Sequence, residues 1–462
     1  MLSLMVVFCM ARSPIGQTGT VHSLLKNVRA LLGDSAVLDE LTAAHGADSG
    51  SLRVEPTDTQ GVSAVLRACA EAEVAVVPEG GGSGLVGGAG PQPFPHVLLS
   101  TRRLQTFEHR PGEPAARVGA GVTLAELERS LAPTAWRYGI DFGARDQATL
   151  GGTITTNAGG SGVFRFGPTR QQVLGLEYVL ADGTVVSDLS PLMKDNTGLS
   201  LQDLIIGSEG ILAIVTQASI RLWPRPEHRA TVLAGFPDLD AALQASRVAA
   251  RSVPIEAIEF MDGACLSAVA QHTSVAHPLE GHGAALLLES AHDDQTVALA
   301  ALHDWIDATS PSATAAATDR ADRARLWAFR EGIVPAITAR SSFPLLKFDL
   351  TLPQESLAGF LDWCTTQFGD AAWQFGHAAD GNVHLNLTDV AQGERGAISD
   401  TVYRQVCALS GSVSAEHGIG RHKVAALAQQ RTSAELSLMR GIKQVFDPKG
   451  ILNPGVILET PG

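Results

Sequence analysis

The chain has 462 residues, more than one ordinary hydrophobic core holds, so two or three domains are expected. Its 45% hydrophobic and 18% charged residues are typical of a globular protein and exclude a disordered one. The net charge of −14, without any block of lysine and arginine, argues against nucleic acid or anionic lipid as the main partner.

The chain begins with the apolar stretch MLSLMVVFCMAR (residues 1–12), which lacks a basic region and is too short to cross a bilayer. We interpret it as an over-extended N-terminus rather than a signal peptide. No later apolar run is long enough to predict a transmembrane helix. The five cysteines are scattered without a CxxC pair, which argues against a disulfide framework or a cysteine-ligated metal. We therefore expect a cytoplasmic protein.

Changes in the pattern of apolar residues and glycines divide the chain into four segments. Apolar residues at helical spacing predict an N-terminal helical segment within residues 1–45. Short β-branched runs alternate with glycine-rich turns from 46 to 225, and the pair Asp182-Gly183 between two of them predicts a hairpin. Amphipathic helices and strands then predict a second α+β domain over 226–415, followed by a C-terminal segment, 416–462, with a helix and an extended tail.

The stretch VVPEGGGSGLVGG (residues 76–88) contains a literal GxGxxG pattern at Gly82, Gly84 and Gly87. A dinucleotide site of the Rossmann type requires a helix directly after these glycines. Prolines at 91, 93 and 95 prevent one, because proline lacks an N–H and forces the preceding residue into extended geometry. The pattern instead predicts a loop whose backbone N–H groups bind phosphate without a helix.

Two further glycine-rich segments, at 146–183 (DQATLGGTITTNAGG and onward) and 203–216 (DLIIGSEGILAIVT), follow that loop. The three segments resemble the flavin-binding half of the vanillyl-alcohol-oxidase/PCMH-type FAD-dependent oxidoreductases. The resemblance continues through FGHAADGNVHLNL, GSVSAEHGIGRHK and FDPKGILNPG. It is strongest to the branch that contains the D-2-hydroxyglutarate and D-lactate dehydrogenases.

The resemblance implies an α+β fold with three parts. A PCMH-type FAD-binding domain of two α+β subdomains would occupy 46–225, and an α+β substrate-binding (cap) domain with an antiparallel sheet would occupy 226–415. The segment 416–462 would return to the flavin. The implied cofactor-binding residues are Pro78, Gly80, Gly81, Gly82, Ser83, Gly84, Thr149, Gly152, Thr155, Asn157, Ala158, Gly159, Gly210, Ile214, Glu416 and Asn453. Since the first glycine loop has no histidine, we expect FAD to be bound non-covalently.

A histidine cluster lies near the C-terminus. His377 and His384 flank the turn AADGNV, so they can lie at opposite ends of a hairpin and converge. Two histidines and one carboxylate, here Glu416, form a divalent-metal set that leaves positions open for substrate. Asn386, two residues past His384, points to the same side of an extended strand. On the pattern alone, ordinary hydrogen-bonded histidines are an equally good interpretation.

The resemblance adds roles to these residues. It implies that His377, His384 and Glu416 bind a zinc-like divalent ion and that His417 is the catalytic base and contacts substrate. Asn386 is expected among the substrate-binding residues. The oxidation of a 2-hydroxy acid needs both parts, because a hydroxyl proton must be removed while a hydride leaves for the flavin.

Two cations bear on the choice of hydroxy acid. The resemblance implies that Arg330 and Lys347 bind the distal carboxylate of D-2-hydroxyglutarate, which makes it the expected substrate and 2-oxoglutarate the product. From the residues alone, Arg330 could instead form a helix-surface ion pair, and Lys347 could be an exposed strand position. Val334 stands where that branch has a threonine, which removes one possible hydrogen bond.

Several alternatives stay open. The enzyme could act on D-lactate, D-malate or glycolate with the same fold, could be the flavin subunit of a multi-subunit glycolate oxidase, or could be an oxidase that makes peroxide. An electron-transfer flavoprotein or a quinone is the expected type of electron acceptor, and a homodimer is compatible with the sequence. Neither the acceptor nor the metal is fixed by a motif, because two histidines and a carboxylate also suit manganese or cobalt.

Overall fold

The computed structural model describes residue 29 and residues 37–41, 51–90, 92, 94–251 and 254–460. The predicted over-extended N-terminus, residues 1–12, lies outside this part of the chain. Most of the predicted helical segment 1–45 lies outside it as well. Within it, Val37–Leu41 is a strand and not a helix, because it pairs antiparallel with Ser51–Val54 at the edge of a sheet. The helical spacing that suggested the segment ends before this strand begins.

The strands follow one another in chain order. They are β1 (Val37–Leu41), β2 (Ser51–Val54), β3 (Ala75–Glu79), β4 (His96–Ser100), β5 (Phe107–His109), β6 (Ala115–Gly119), β7 (Trp136–Arg137), β8 (Val173–Val179), β9 (Val185–Asp188), β10 (Ile214–Arg221), β11 (Trp223–Pro224), β12 (His228–Phe236), β13 (Ile255–Asp262), β14 (Ala284–His292), β15 (Ala313–Ala317), β16 (Leu346–Thr351), β17 (Ala372–His377) and β18 (Asn382–Leu387).

Helices connect and cover these strands. In the described part of the chain the α-helices are Thr59–Ala72, Leu124–Leu131, Leu150–Thr156, Val163–Phe166, Gln202–Ile205, Leu239–Ala249, Gly263–Thr273, Gln295–Thr309, Arg320–Glu331, Ile333–Thr338, Leu357–Phe368, Arg395–Ala408, Val424–Gln430 and Ser433–Phe446. None of the helices in that part is both long enough and apolar enough to span a membrane.

The first domain, which we define by β1–β11, contains two main sheets. A four-stranded sheet in the order β1-β2-β4-β3 pairs β2, β3 and β4 in parallel, and an antiparallel five-stranded sheet has the order β5-β6-β10-β8-β9. The helix Thr59–Ala72 begins at Asp58, whose side chain accepts a hydrogen bond from Gly61 N, and it buries its apolar face in the shared core. The predicted hairpin is confirmed, with Gly183 at φ +86° in the turn between β8 and β9.

The second domain, β12–β18, is built on a seven-stranded antiparallel sheet in the order β15-β12-β14-β13-β17-β18-β16. One face of this sheet packs against four helices, Leu239–Ala249, Gln295–Thr309, Leu357–Phe368 and Arg395–Ala408. The other face is covered in part by the helices Gly263–Thr273 and Ile333–Thr338. The remainder of that face carries polar side chains toward the first domain, and we call it the polar face.

The C-terminal tail returns to the first domain. Leu452 forms a parallel bridge with Val76 of β3, and Asn453 N donates a 2.8 Å hydrogen bond to the Val76 carbonyl. The tail thereby lies beside the strand that leads into the glycine loop.

Candidate active site

The glycine loop follows β3 and leads to β4 without a helix in its described residues, as the prolines predict. The loop packs closely on the turn that begins the helix Leu150–Thr156. A Cβ added to Gly80 would lie 2.6 Å from Thr149 Oγ1, and one added to Gly81 would overlap the Gln147 carbonyl. At Gly84 a Cβ would meet nothing within 4 Å, so the backbone there faces open space. The loop therefore offers bare backbone to a ligand.

A cavity of about 1290 Å³ lies between the glycine-rich loops and the polar face. It exceeds the roughly 300–1,000 Å³ of ordinary ligand pockets. The predicted cofactor-binding residues in its wall are Pro78, Gly80, Gly81, Gly82, Ser83, Gly84, Thr149, Gly152, Thr155, Ala158, Gly159, Gly210, Ile214 and Glu416. The other predicted site residues in the wall are Arg330, Lys347, His377, His384, Asn386 and His417.

Asn157 and Asn453 are the predicted site residues that do not line this cavity. Asn157 ends its helix in the left-handed region, and its Oδ1 accepts a 2.9 Å hydrogen bond from Arg170 N. Asn453 Nδ2 donates to the carbonyls of Gly88 and Glu209, both at 2.9 Å. Both side chains hold loops that surround the cavity, and their part in cofactor binding stays a prediction.

The two predicted metal-ligating histidines converge, as the hairpin geometry predicts. Strands β17 and β18 form the hairpin, and His384 pairs with Phe375, two residues before His377, so both histidines lie on the polar face. Their ring centroids are 5.3 Å apart. The ligand atoms of His377, His384 and Glu416 all lie within 4.8 Å of one another. Burial holds the pKa of His384 well below its usual value, which keeps the imidazole neutral.

A buried carboxylate on β13, Glu259, supports one of these histidines and one of the predicted substrate cations. Its Oε1 lies 2.6 Å from His377 Nδ1, and its Oε2 accepts a 2.8 Å hydrogen bond from Arg330 Nε. The Arg330 guanidinium also lies 4.7 Å from the centroid of the Phe375 ring. Burial alone would lower the pKa of His377, but the charge of Glu259 raises it to about 9.

A second buried carboxylate, Asp349 on β16, lies directly opposite His384 in the sheet. Its oxygens are 3.6 Å from His384 Nδ1 and 3.6 Å from His417 Nδ1. It also accepts a 2.9 Å hydrogen bond from Asn382 Nδ2. Burial would raise the pKa of Asp349, but the charges of His417 and Lys423 and the hydrogen bond from Glu416 N hold it far below the usual range. With Glu416 and His417, Asp349 forms another group of ligand atoms within 4.8 Å.

Glu416 joins the metal-ligand group to the first domain. Its Oε1 accepts a 2.6 Å hydrogen bond from Gly160 N, and a Cβ on Gly159 would lie 2.8 Å from the same oxygen. The carboxylate thus rests on the glycine-rich segment predicted to line the flavin. Its roles in binding the cofactor and a metal stay predictions.

The predicted substrate cation Lys347 lies opposite Asn386 in the sheet, so both point from the polar face. Lys347 is exposed although its neighbours in β16 are buried, because it faces the cavity. Asn386 is 3% exposed, and its Oδ1 has no hydrogen-bond partner among the residues that the structure describes. Val334 lies in the same cavity wall.

Sequence reasoning missed three carboxylates of this site. Asp349 stands two residues after Lys347, and strand alternation would have placed both on one face. Glu259 stands among the apolar residues Ile258, Phe260 and Met261 of β13, which was a usable signal. Glu209 lies in the glycine-rich segment 203–216 without a local signal for its role; it accepts hydrogen bonds from Ile419 N and Gly420 N, both at 2.7 Å.

Comparisons with known proteins cover nearly the whole described chain. A model described as the FAD binding domain matches residues 51–188, and one described as the C-terminal domain of FAD linked oxidases matches residues 225–457. The mitochondrial D-2-hydroxyglutarate dehydrogenase of Bos taurus is 36% identical over 436 residues, 92% of this chain and 79% of that protein. The D-2-hydroxyglutarate–pyruvate transhydrogenase of Saccharomyces cerevisiae is 33% identical, over 86% of this chain and 84% of that protein.

Solved structures of low sequence identity share the fold. The structure of p-cresol methylhydroxylase with substrate bound has a TM-score of 0.76 at 17% identity and covers 96% of this chain and 98% of its own. A 4-ethylphenol oxidase from Gulosibacter chungangensis gives a TM-score of 0.74 at 16% identity over the same shares. These likenesses confirm the predicted α+β, PCMH-type architecture. With both family models and sequence relatives in agreement, the chain belongs to the family of FAD-linked oxidases.

Proposed function

We propose that this protein is an FAD-dependent, metal-assisted dehydrogenase that oxidises a D-2-hydroxy acid to the 2-oxo acid, with D-2-hydroxyglutarate as its preferred substrate. The family and the names of the sequence relatives support the reaction class. The observation that carries the proposal is the convergence of His377, His384, Glu416 and His417 on one wall of the cavity, with the glycine-rich loops in the other.

The glycine-rich loops fit FAD. The backbone at Gly84 faces open space, and the packing of Gly80 and Gly81 against residues 147–149 fixes the loop without side chains in the way. Successive N–H groups in such a loop suit a pyrophosphate. The fourteen predicted cofactor-binding residues of the cavity wall would hold the cofactor non-covalently. Bound FAD would supply the acceptor for the hydride that leaves C2 of the substrate.

The residues His377, His384 and Glu416 fit a divalent ion, with Zn²⁺ as our first expectation. Two imidazoles and one carboxylate are a usual ligand set for a catalytic ion that keeps a position open. Glu259 at His377 Nδ1 would fix the ring, as a carboxylate beside a metal-bound histidine commonly does. Such an ion would bind the substrate's carboxylate and hydroxyl and lower the pKa of the hydroxyl.

His417 is the proposed base. Its side chain is 32% exposed in the cavity wall, so it is accessible to a substrate hydroxyl. The Asp349 carboxylate lies 3.6 Å from His417 Nδ1, where it can orient the imidazole that takes the hydroxyl proton. The hydroxyl proton therefore goes to His417 while the C2 hydrogen leaves as hydride, and a C=O bond forms.

Arg330 and Lys347 would hold the distal carboxylate, with Asn386 beside them. Glu259 orients the guanidinium from its Nε side, which leaves the two Nη groups for a bidentate contact. The Oδ1 of Asn386 has no partner among the described residues and would accept a hydrogen bond from the Lys347 ammonium. Because Val334 offers no hydroxyl, D-malate and D-lactate are the alternatives to test. An electron-transfer flavoprotein or a quinone is the proposed type of electron acceptor.

The test is anaerobic bleaching of the protein's flavin by a panel of D-2-hydroxy acids, with and without a chelator. We expect D-2-hydroxyglutarate to bleach the flavin fastest and the chelator to slow it. A yellow protein that no hydroxy acid bleaches would contradict the proposal. Bleaching by D-lactate or D-malate in preference would retain the reaction class and replace the substrate. Air is then added to the bleached protein. Reoxidation of the flavin with formation of peroxide would indicate an oxidase rather than a dehydrogenase.

A further inference from the structure

Residues 416–420 (EHGIG), which we call the catalytic loop, carry the proposed metal ligand Glu416 and the proposed base His417. The loop has no regular secondary structure, so other groups must satisfy its backbone. At its first end, Glu416 N and His417 N both donate to Asp349 Oδ2, at 2.7 Å and 2.8 Å. Asp349 belongs to β16, the strand that also carries Lys347. The second domain thus holds the first end of the loop.

At its other end the loop is held by the first domain. Ile419 N donates to Glu209 Oε1 and Gly420 N to Glu209 Oε2, both at 2.7 Å. Gly418, between the two ends, has φ +79°, and a Cβ there would lie 2.7 Å from Glu209 Oε1. Glycine is therefore required at this point both by the backbone conformation and by the approach of the carboxylate.

Both carboxylates are buried, Asp349 at 1% exposure and Glu209 at 9%. Hydrogen bonds from backbone N–H groups to a buried carboxylate are charge-assisted and stronger than neutral ones. The buried Lys423 lies close enough to interact with both charges, and its Nζ donates to the Val413 carbonyl and to Ser414 Oγ. Each carboxylate therefore accepts hydrogen bonds from the backbone of the loop and lies near the positive charge of Lys423.

We propose that Asp349 and Glu209 are positioning residues that clamp the catalytic loop from two domains and so set where the His417 imidazole stands. This inference rests on the proposed role of His417 as the base. The substrate is held by the second domain and the flavin by the first, and the base must be aligned with both. A loop bonded to only one domain would follow that domain alone.

The two carboxylates differ in a way that a mutant series can use. Glu209 gives one oxygen to each N–H, so Glu209→Gln would set an amide NH₂ against one of them and break that bond. Asp349 uses a single oxygen for both N–H groups, so Asp349→Asn can keep both. Its new NH₂ would then face Asn382, whose Oδ1 has no partner among the described residues and can turn to accept it.

The experiment measures anaerobic flavin bleaching by D-2-hydroxyglutarate in rapid mixing, expressed per bound flavin. For Glu209→Gln we expect the saturating rate to fall about 100-fold, as for a base displaced by about 1 Å. The half-saturating substrate concentration should change little, because Arg330 and Lys347 are untouched. Asp349→Asn should retain at least about tenfold more of the rate than Asp349→Ala, because only the asparagine keeps the loop bonds.

Asp447→Asn is the matched control. Asp447 is also a buried carboxylate, 1% exposed, that accepts hydrogen bonds from two backbone N–H groups, those of Ile451 and Leu452, but it does not touch the catalytic loop. The Asp447→Asn variant should have a lower melting temperature than the wild type, but its rate of flavin bleaching per bound flavin should be unchanged. The same rate loss in Asp447→Asn as in Glu209→Gln, or an unchanged rate in Glu209→Gln, would overturn the inference.

Hydrogen exchange separates this inference from the proposed function. In Glu209→Gln the amides of residues 419 and 420 should exchange faster than in the wild type, whichever substrate the enzyme uses. Unchanged exchange there would overturn the clamp even if the wild type oxidises D-2-hydroxyglutarate. A wild-type flavin that no hydroxy acid bleaches would instead overturn the proposed function, and with it the assignment of His417 on which the positioning role rests.

Discussion

Glu259 Oε1 lies 2.6 Å from His377 Nδ1, although the two residues are far apart in the sequence. The contact arises because β13 and β17 are neighbours in the seven-stranded sheet and Glu259 pairs directly with His377. The second oxygen of Glu259 holds Arg330. One buried carboxylate therefore supports a proposed metal ligand and a proposed substrate cation together, which couples the two ends of the substrate site.

Glu259→Gln should weaken metal binding and destabilise the fold. Loss of a carboxylate behind a metal-bound histidine commonly lowers metal affinity about 10- to 100-fold. Removing one member of a buried ion pair also costs about 3–5 kcal/mol, because Arg330 is left without its partner. Titration of the metal-free protein with Zn²⁺ by calorimetry and a thermal melt would measure the two effects.

Glu289→Gln provides the matched control for that variant. Glu289 is also a buried carboxylate of the polar face, paired with Arg229 and Arg323, but it does not touch His377. Its replacement should lower stability and leave Zn²⁺ affinity unchanged. If both variants weakened Zn²⁺ binding equally, the effect would be one of general stability and the specific role of Glu259 would be wrong.

Lys347→Ala should separate dicarboxylic from monocarboxylic substrates. Lys347 projects into the cavity beside Asn386 and contacts no proposed metal ligand in the sheet register. Loss of its charge-assisted bond should reduce kcat/KM for D-2-hydroxyglutarate about 100-fold, which is near the upper end of the range for the loss of one such bond. The kcat/KM for D-lactate, which has no distal carboxylate, should not change. An equal loss for both acids would show that Lys347 acts on something other than the distal carboxylate.

Gly84→Ala tests the glycine loop as the cofactor's binding surface. A methyl group at Gly84 meets no protein atom within 4 Å, so the chain itself tolerates it. If the pyrophosphate approaches this backbone, the variant should keep the melting temperature of the flavin-free protein and lose bound FAD. Gly441→Ala, where a Cβ also meets nothing, lies in the helix Ser433–Phe446 away from the cavity and is the control. Full FAD occupancy in Gly84→Ala would exclude close approach at this position.

The parts of the fold that depend on local rules could be predicted from the sequence. The prolines after the glycine loop excluded a Rossmann helix, and the turn between His377 and His384 brought the two rings together, because both effects act within a few residues. The strand Val37–Leu41 could not be foreseen, since it is defined by pairing with β2 rather than by its own pattern.

The supporting residues of the site depend on long-range contacts and were therefore missed. Glu259 meets His377 only because the sheet order places β13 beside β17, and Glu209 meets Gly420 only because the C-terminal loop returns to the first domain. No periodicity in the sequence encodes either neighbour. Asp349 is different, because its spacing from Lys347 already placed it on the polar face.

His96 should make the fold sensitive to acid. It is fully buried in β4, with Nδ1 near the Phe94 carbonyl at 2.7 Å, while Nε2 has no partner among the described residues. Burial lowers its pKa below the usual value, and the charge of Arg421 adds to this. Because the unfolded chain takes up a proton near pH 6.5 and the folded protein does not, the free energy of unfolding should fall as the pH drops below about 6.5.

His96→Asn removes this titration while its amide can still donate to the Phe94 carbonyl. The variant should be less stable than the wild type at pH 8, because the smaller side chain leaves space in the core. The difference between the two melting temperatures should then shrink from pH 8 to pH 5, since only the wild type loses stability through His96. His109→Asn, at a half-buried position of β5, is the control and should leave the pH dependence of the wild-type melting temperature intact. Melting curves for wild type and His96→Asn that stay parallel over this range would show that His96 does not control the acid sensitivity.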